Sequence, residues 1–243
     1  FYVVLAAALI AMTIAPRRDA PAPPARDEPE GGRTVGLRAG LASMLANRAY
    51  LVFLGSAFLA FAGFRAGITF LPLLVEYLGG GLSDVGISHS IAAVSEVPFL
   101  FLSSLLFRRI RGRALIATVL ALLGLRMFLY TIGGSVGAVY ALQATHGMTF
   151  GLFLAGSVDY IHRIAPPDHR SLYQALAPSV YFGLGSIFGS WIGGVIVEAT
   201  SVVWLYRIAA GVIVLAAPLP FILRRRGSAG GEEAEPGVES PRG

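Results

Sequence analysis

The sequence predicts an all-α membrane protein: a six-transmembrane-helix bundle preceded by the end of another helix. Three observations predict it. The 243 residues are 55% hydrophobic and only 14% charged, with a mean hydropathy of +0.70, far from the profile of a soluble domain. Six apolar segments follow one another, each close to the ~20 residues that cross a bilayer as a helix. Arginines gather in alternate connections, as they do in chains threaded through a membrane.

The opening run FYVVLAAALIAMTIA (1–15) has no basic leader and no convincing cleavage site, so it does not read as a signal peptide. It reads as the end of a transmembrane helix that begins upstream of Phe1, with the chain as a piece of a longer protein. Residues 16–48 begin PRRDAPAPPARDEPEGGRTVG. Proline, glycine and charge leave no apolar periodicity there, which predicts a linker. Its last part, 37–48, carries Arg38 and Arg48 on a short amphipathic stretch, expected either at the membrane surface or as plain polar linker.

The bundle is expected over 49–225. Its spans are 50–78, 85–107, 114–133, 137–161, 172–198 and 202–223. The connections are short, which favours antiparallel packing of sequence neighbours. Pro72, Pro98, Pro178 and the pair Pro218 and Pro220 predict kinks. RRIRGR (108–113), Arg163, Arg170 and the RRR at 224–226 fall on the side of the linker. The opposite connections hold Glu76, Asp84 and Glu198 and no arginine. The positive-inside rule then makes the linker and the tail (226–243, disordered) cytoplasmic, for a multi-pass protein of the plasma (inner) membrane. Arg207, early in the sixth span, is the one exception.

Composition also excludes function classes. With no cysteine there is no disulfide framework and no thiolate metal site. Nothing in the sequence implies a metal or a cofactor. The net charge of +5 is carried in loops between apolar spans, which argues for a lipid bilayer as partner and against nucleic acid. An intramembrane serine protease needs a membrane-embedded serine with a histidine base. No GxSG motif occurs and the last two spans contain no histidine, so an enzyme is not expected.

The chemistry concentrates in three ionisable residues on consecutive spans: Glu96, Arg126 and His146. Counted at ~1.5 Å per residue from the arginine-rich ends, they lie ~16, ~18 and ~22 Å deep, in one slab near the midplane. A charge there costs at least ~2.5–3.5 kcal/mol, so it requires a partner or a wet cavity. Glu96 stands two residues before Pro98, which removes the bond to the Val94 carbonyl and is expected to open a discontinuity in the second span. His89 lies two turns earlier on the same face. A fixed Glu96–Arg126 pair is the structural alternative. Arg126 has only apolar neighbours in its own span and stays charged at any physiological pH. His146 shares a polar strip with Gln143 and Thr149 and titrates near neutrality. Arg65 lies mid-span, ~22 Å from the cytoplasmic end, placed to face Glu96 or an anionic solute. Asp159, near the cytoplasm, is expected at an interface or gate. Gly185, Gly189 and Gly193 recur every fourth residue on the fifth span, a close-packing face that can also be a sliding one.

These residues sit in motifs that resemble a known family. SEVPFLF (95–101), the RRIRGR loop, LGLRMFLY (123–130), THGMTFGLF (145–153) and SLYQAL with GLGSIFGSWIGG (within 171–194) look like the C-terminal half of a major facilitator superfamily permease. The likeness is to the group of proton symporters that includes lactose permease and phenylpropionate permease. It covers about 45–225 and implies half of a twelve-helix fold. It further implies that Glu96 binds solute and that Arg126 and His146 take part in proton coupling. Where that group has a second carboxylate one turn after the histidine, this sequence has Thr149 and Phe150, which argues against a lactose-type sugar. The arginine loop also lacks the superfamily's acidic residue. The expected function is therefore proton-coupled symport of a small polar or organic-acid solute, with protons and solute as partners and an N-terminal half of the same permease beyond this sequence. An exporter of the same superfamily, exchanging drug or metabolite for protons, is the alternative, and a non-transporting sensor or scaffold the next.

Overall fold

The computed structural model describes residues 36–109 and 112–221. The expectations for 1–15, for the linker up to residue 35, for the centre of RRIRGR, for the arginines at 224–226 and for the tail lie outside the described residues. Every regular element described is helical. Leu37–Ala46 forms α1, Arg48–Thr69 α2, Leu71–Tyr77 α3, Leu82–Arg109 α4 and Gly112–Leu129 α5. After Val136–Gln143 (α6) comes a π-helical segment, Gly147–Gly151, that leads into Leu152–Ile164 (α7). Arg170–Pro178 (α8) passes through a second π segment, Ser179–Leu184, into Gly185–Ala199 (α9), and Val202–Ala216 is α10. Among the described residues, three helices have the length and apolar character to cross a membrane: Arg48–Thr69, Pro167–Ala199 and Val202–Phe221.

Several boundaries differ from the sequence reading. Residues 37–46 are a helix fixed to the body rather than linker. Ser43 Oγ lies 3.0 Å from Tyr173 Oη, and Asn47 donates to the Ile164 carbonyl at 2.9 Å while its side chain caps Tyr50 N–H. The first span breaks at Phe70, because Pro72 in the first turn of α3 has no N–H with which to continue α2. In the second span, by contrast, α4 runs through Pro98 as one helix of 28 residues. Pro98 and Val94 are both exposed, so the freed carbonyl and the ring lie on the outer surface and the buried side keeps its bonds. The predicted discontinuity occurs instead in the fourth span, beside His146. There Gly147 and Gly151 bracket the π segment, and Thr149 Oγ1 donates to the His146 carbonyl at 3.1 Å, competing with the backbone ladder.

Packing also departs from the expectation of sequential neighbours. The long helix of the first span packs along α9 and α10, the fifth and sixth spans. α4 packs on the π segment, α6 and α7 of the fourth span, and α5 packs on α10 and α7. Small residues, not loop lengths, decide these pairings, because apolar side chains gain nothing in lipid by meeting each other. Gly189 approaches α2 so closely that a Cβ there would collide with the Ala62 carbonyl, and one on Gly147 would collide with the Ser95 carbonyl. The pairings are symmetric. First-on-fifth corresponds to fourth-on-second, first-on-sixth to fourth-on-third, and third-on-sixth to itself. A two-fold relating spans one to three to spans four to six produces this pattern, as in inverted-repeat transporters.

Candidate functional site

The three ionisable residues of the sequence meet, in an order the sequence did not reveal. His146 stands between the other two. Its Nε2 is 3.1 Å from Glu96 Oε1, while Nδ1 is 3.1 Å from both Nη1 and Nη2 of Arg126. Arg126 Nη1 also donates to Thr149 Oγ1 at 3.0 Å. No direct Glu96–Arg126 ion pair, the structural alternative, occurs among the described residues; the imidazole stands between the two groups.

This geometry fixes the protons. A guanidinium has donors only, so Nδ1 accepts with its lone pair. The hydrogen on a neutral imidazole is then on Nε2, where it is donated to Glu96. The tautomer follows from the network, with the guanidinium holding one ring nitrogen and the carboxylate the other. While Arg126 stays in place, His146 has no free lone pair to take a second proton. Of the three, Glu96 is the most open, with 18% of its side chain accessible against 8% for His146.

Aromatic rings exclude water from the rest. The His146 ring stacks with Phe64 at 5.7 Å and Phe150 at 5.1 Å. Arg126 is 3% exposed and its guanidinium carbon lies 5.9 Å from the centres of both the Phe64 and Tyr130 rings, close enough for favourable cation–π contact. Behind it is a small cavity lined by Gly67, Gln143, Tyr130 and Tyr206 among others. Gln143 thus belongs to the surroundings of Arg126, as its helical spacing from His146 suggested.

The register of the cluster is set by a crossing that sequence reasoning missed. Ser95 Oγ accepts from Gly147 N–H at 2.9 Å and donates to the Ala92 carbonyl at 2.7 Å. Gly147 abuts Ser95 and Glu96 Cα, and Gly151 lies beneath the Glu96 carbonyl. The second and fourth spans therefore touch backbone to backbone just where the carboxylate and imidazole meet. The signal was present as the GMTFG pair of glycines next to His146.

The remaining predicted residues fall elsewhere. His89 is exposed and makes no ion pair among the described residues. Asp159 pairs with Arg163 one turn along its own helix, accepting from Nε at 2.8 Å, a local surface contact. Arg65 is half-buried and its Nε is buried without a hydrogen-bond partner; it does not join Glu96. Gly185, Gly189 and Gly193 are all buried and face Phe58, Ala62, Ala66 and Phe70 of the first span.

Comparison with known proteins adds a family. The model of the family described as the MFS_1 like family matches residues 1–208. The chain is 27% identical over 179 residues to "Uncharacterized transporter YwbF" of Bacillus subtilis (strain 168), a match covering 71% of this chain and 43% of that protein. It is 27% identical over 190 residues to "Maltose permease" of Geobacillus stearothermophilus, covering 78% and 48%. With "Quinolone resistance protein NorA" of Staphylococcus aureus it shares 25% identity over 154 residues, 63% of this chain and 39% of that protein. The chain spans less than half the length of each of these relatives.

Proposed function

Because this chain belongs to the MFS_1 like family, we propose that it forms one six-helix half of a secondary transporter that couples solute movement to protons by alternating access. The observation that carries this reading is the Glu96–His146–Arg126 cluster, drawn from three apolar segments and largely closed off inside the bundle. A buried ionisable cluster with one accessible carboxylate is the equipment of a proton-coupled carrier.

In this reading Glu96 is the proton-sensitive group. Ionised, it balances Arg126 through the imidazole, and the cluster is neutral and closed. Protonated, it leaves the Arg126 charge uncompensated, and the three-residue tie between the second, third and fourth spans loosens. Coupling then arises because solute binds one state better than the other. The half rocks as a unit against a partner half supplied by the rest of the protein, with the linker and the C-terminal tail on the cytoplasmic side. The group of proton symporters resembled in the sequence fits this arrangement. Exchange of solute for protons, in the exporting direction, is the second reading. The similarity to proteins named for quinolone resistance favours it.

Vesicle transport tests both. Glu96→Gln is expected to abolish accumulation driven by a proton gradient in the full-length protein while leaving downhill exchange of solute. Unchanged uphill transport by that variant would remove Glu96 from the coupling. The direction of flux relative to the gradient separates symport from antiport.

A further inference from the structure

The middle of the bundle carries one carboxylate and two guanidinium groups among the described residues. Glu96 and Arg126 are joined through His146 and cancel. Arg65 is left over. It has no ion pair among the described residues, and its Nε is buried without a hydrogen-bond partner. A cation at that depth needs an anionic partner, backbone carbonyls or a water-filled cavity, and an anionic ligand is one group that can supply the charge.

The surroundings are suited to such a group. Four residues on from Arg65, on the same face of α2, Thr69 Oγ1 lies 3.0 Å from Ser190 Oγ of the fifth span. One turn before Ser190 on α9 is Ser186, so the α2–α9 seam brings Arg65 and three hydroxyl side chains to one edge. That edge is open: Thr69 is exposed and Arg65, Ser186 and Ser190 are half-buried. Below it the glycine face of α9 sets the two helices close together. A guanidinium presents paired N–H donors that match a carboxylate, and neighbouring hydroxyls can satisfy its remaining lone pairs.

We propose that Arg65, with Thr69, Ser186 and Ser190, is the binding site for the anionic group of the transported solute, and that this solute is a monocarboxylate. Charge sets the valence. One free guanidinium neutralises one carboxylate, whereas a phosphate ester dianion would leave a charge stranded in the membrane. The inference rests on the transport reading above and narrows it to a substrate class.

Two measurements on the purified full-length protein test it. The first needs no solute. Arg65→Gln removes an unbalanced charge, so the melting temperature of the ligand-free protein is expected to rise. A fall would mean that the substitution stranded a permanent acidic partner, which overturns the proposal. The second is uptake into vesicles of radiolabelled monocarboxylates from acetate to benzoate, each beside its uncharged amide. Above the passive uptake of weak acids into protein-free vesicles, carboxylates but not amides are expected to accumulate under a proton gradient. Arg65→Gln is expected to lower that uptake at least tenfold, and Arg65→Lys, which keeps the charge, to lower it less. Equal uptake of acids and amides, or undiminished carboxylate uptake by Arg65→Gln, overturns the carboxylate site and leaves proton-coupled transport standing. Accumulation of neither class removes the transport reading and this inference with it.

Discussion

At the scale of single residues, the site works through what each side chain is able to donate. Arg126 has no acceptor, Glu96 when ionised has no donor, and an imidazole between them must offer a lone pair to one and a hydrogen to the other. The observed distances assign Nδ1 to Arg126 and Nε2 to Glu96. In nitrogen NMR of the protein at neutral pH, His146 is accordingly expected with a bare Nδ1 and a protonated Nε2. Signals from two protonated nitrogens would show that Arg126 does not hold the ring. The three residue types and the need for a partner were legible in the sequence, since charges in apolar spans stand out. The central place of His146 was not. It depends on a serine, Ser95, and a glycine, Gly147, that bring two backbones together and carry no charge to announce themselves.

At the scale of elements, glycines decide which helices touch and a break decides where the chemistry sits. Gly147→Ala drives a methyl into the Ser95 carbonyl, so it is expected to destabilise by about 1–3 kcal/mol and to weaken proton coupling. Gly151→Ala is the control, because its Cβ would meet the Glu96 carbonyl and Phe99 only at 3.8 Å. Melting temperatures that fell equally for both would mean the crossing is not close. The turn before α4 makes a separate prediction about pH. Asp84 accepts from Gly81 N–H at 2.7 Å and from the Tyr140 hydroxyl. Chiefly the Gly81 amide, and then Tyr140, hold its carboxyl below the ordinary aspartate range. A depressed folded pKa means that this contribution is present above the unfolded value and is lost as pH falls through the folded one. Melting temperature is expected to drop on acidification below the usual aspartate range, and to drop less in Asp84→Asn. An identical pH dependence in the two proteins would show that the turn contributes nothing. From the sequence, Pro72 correctly marked a break and Pro98 did not. A proline severs a helix only where the lost bond matters, and the outward-facing Pro98 leaves the buried side of α4 intact.

At the scale of the whole molecule, the pairing of spans among the described residues repeats as a two-fold would make it, and the sequence predicts the arginine-bearing connections on one side. The chain contains no cysteine, so single cysteines report its topology. Ser83 and Asp168 are both exposed, in connections predicted on opposite sides. In right-side-out vesicles, Ser83→Cys is expected to react with an impermeant maleimide at once and Asp168→Cys only after permeabilisation. Labelling of both from outside would refute the orientation.

The amino-acid sequence by itself determined that this is a helical membrane protein, which residues it buries at a cost, and which face of the fifth span packs closely. Those follow from transfer free energies and helical periodicity, both local properties. Tertiary structure alone decided that the first span packs on the fifth and sixth, that His146 separates Glu96 from Arg126, and that Arg65 has no counter-charge among the described residues. In lipid the choice of neighbour is made by backbone approach at small residues and by where polar groups find partners. That choice involves pairs of residues far apart in the chain, about which hydropathy says nothing.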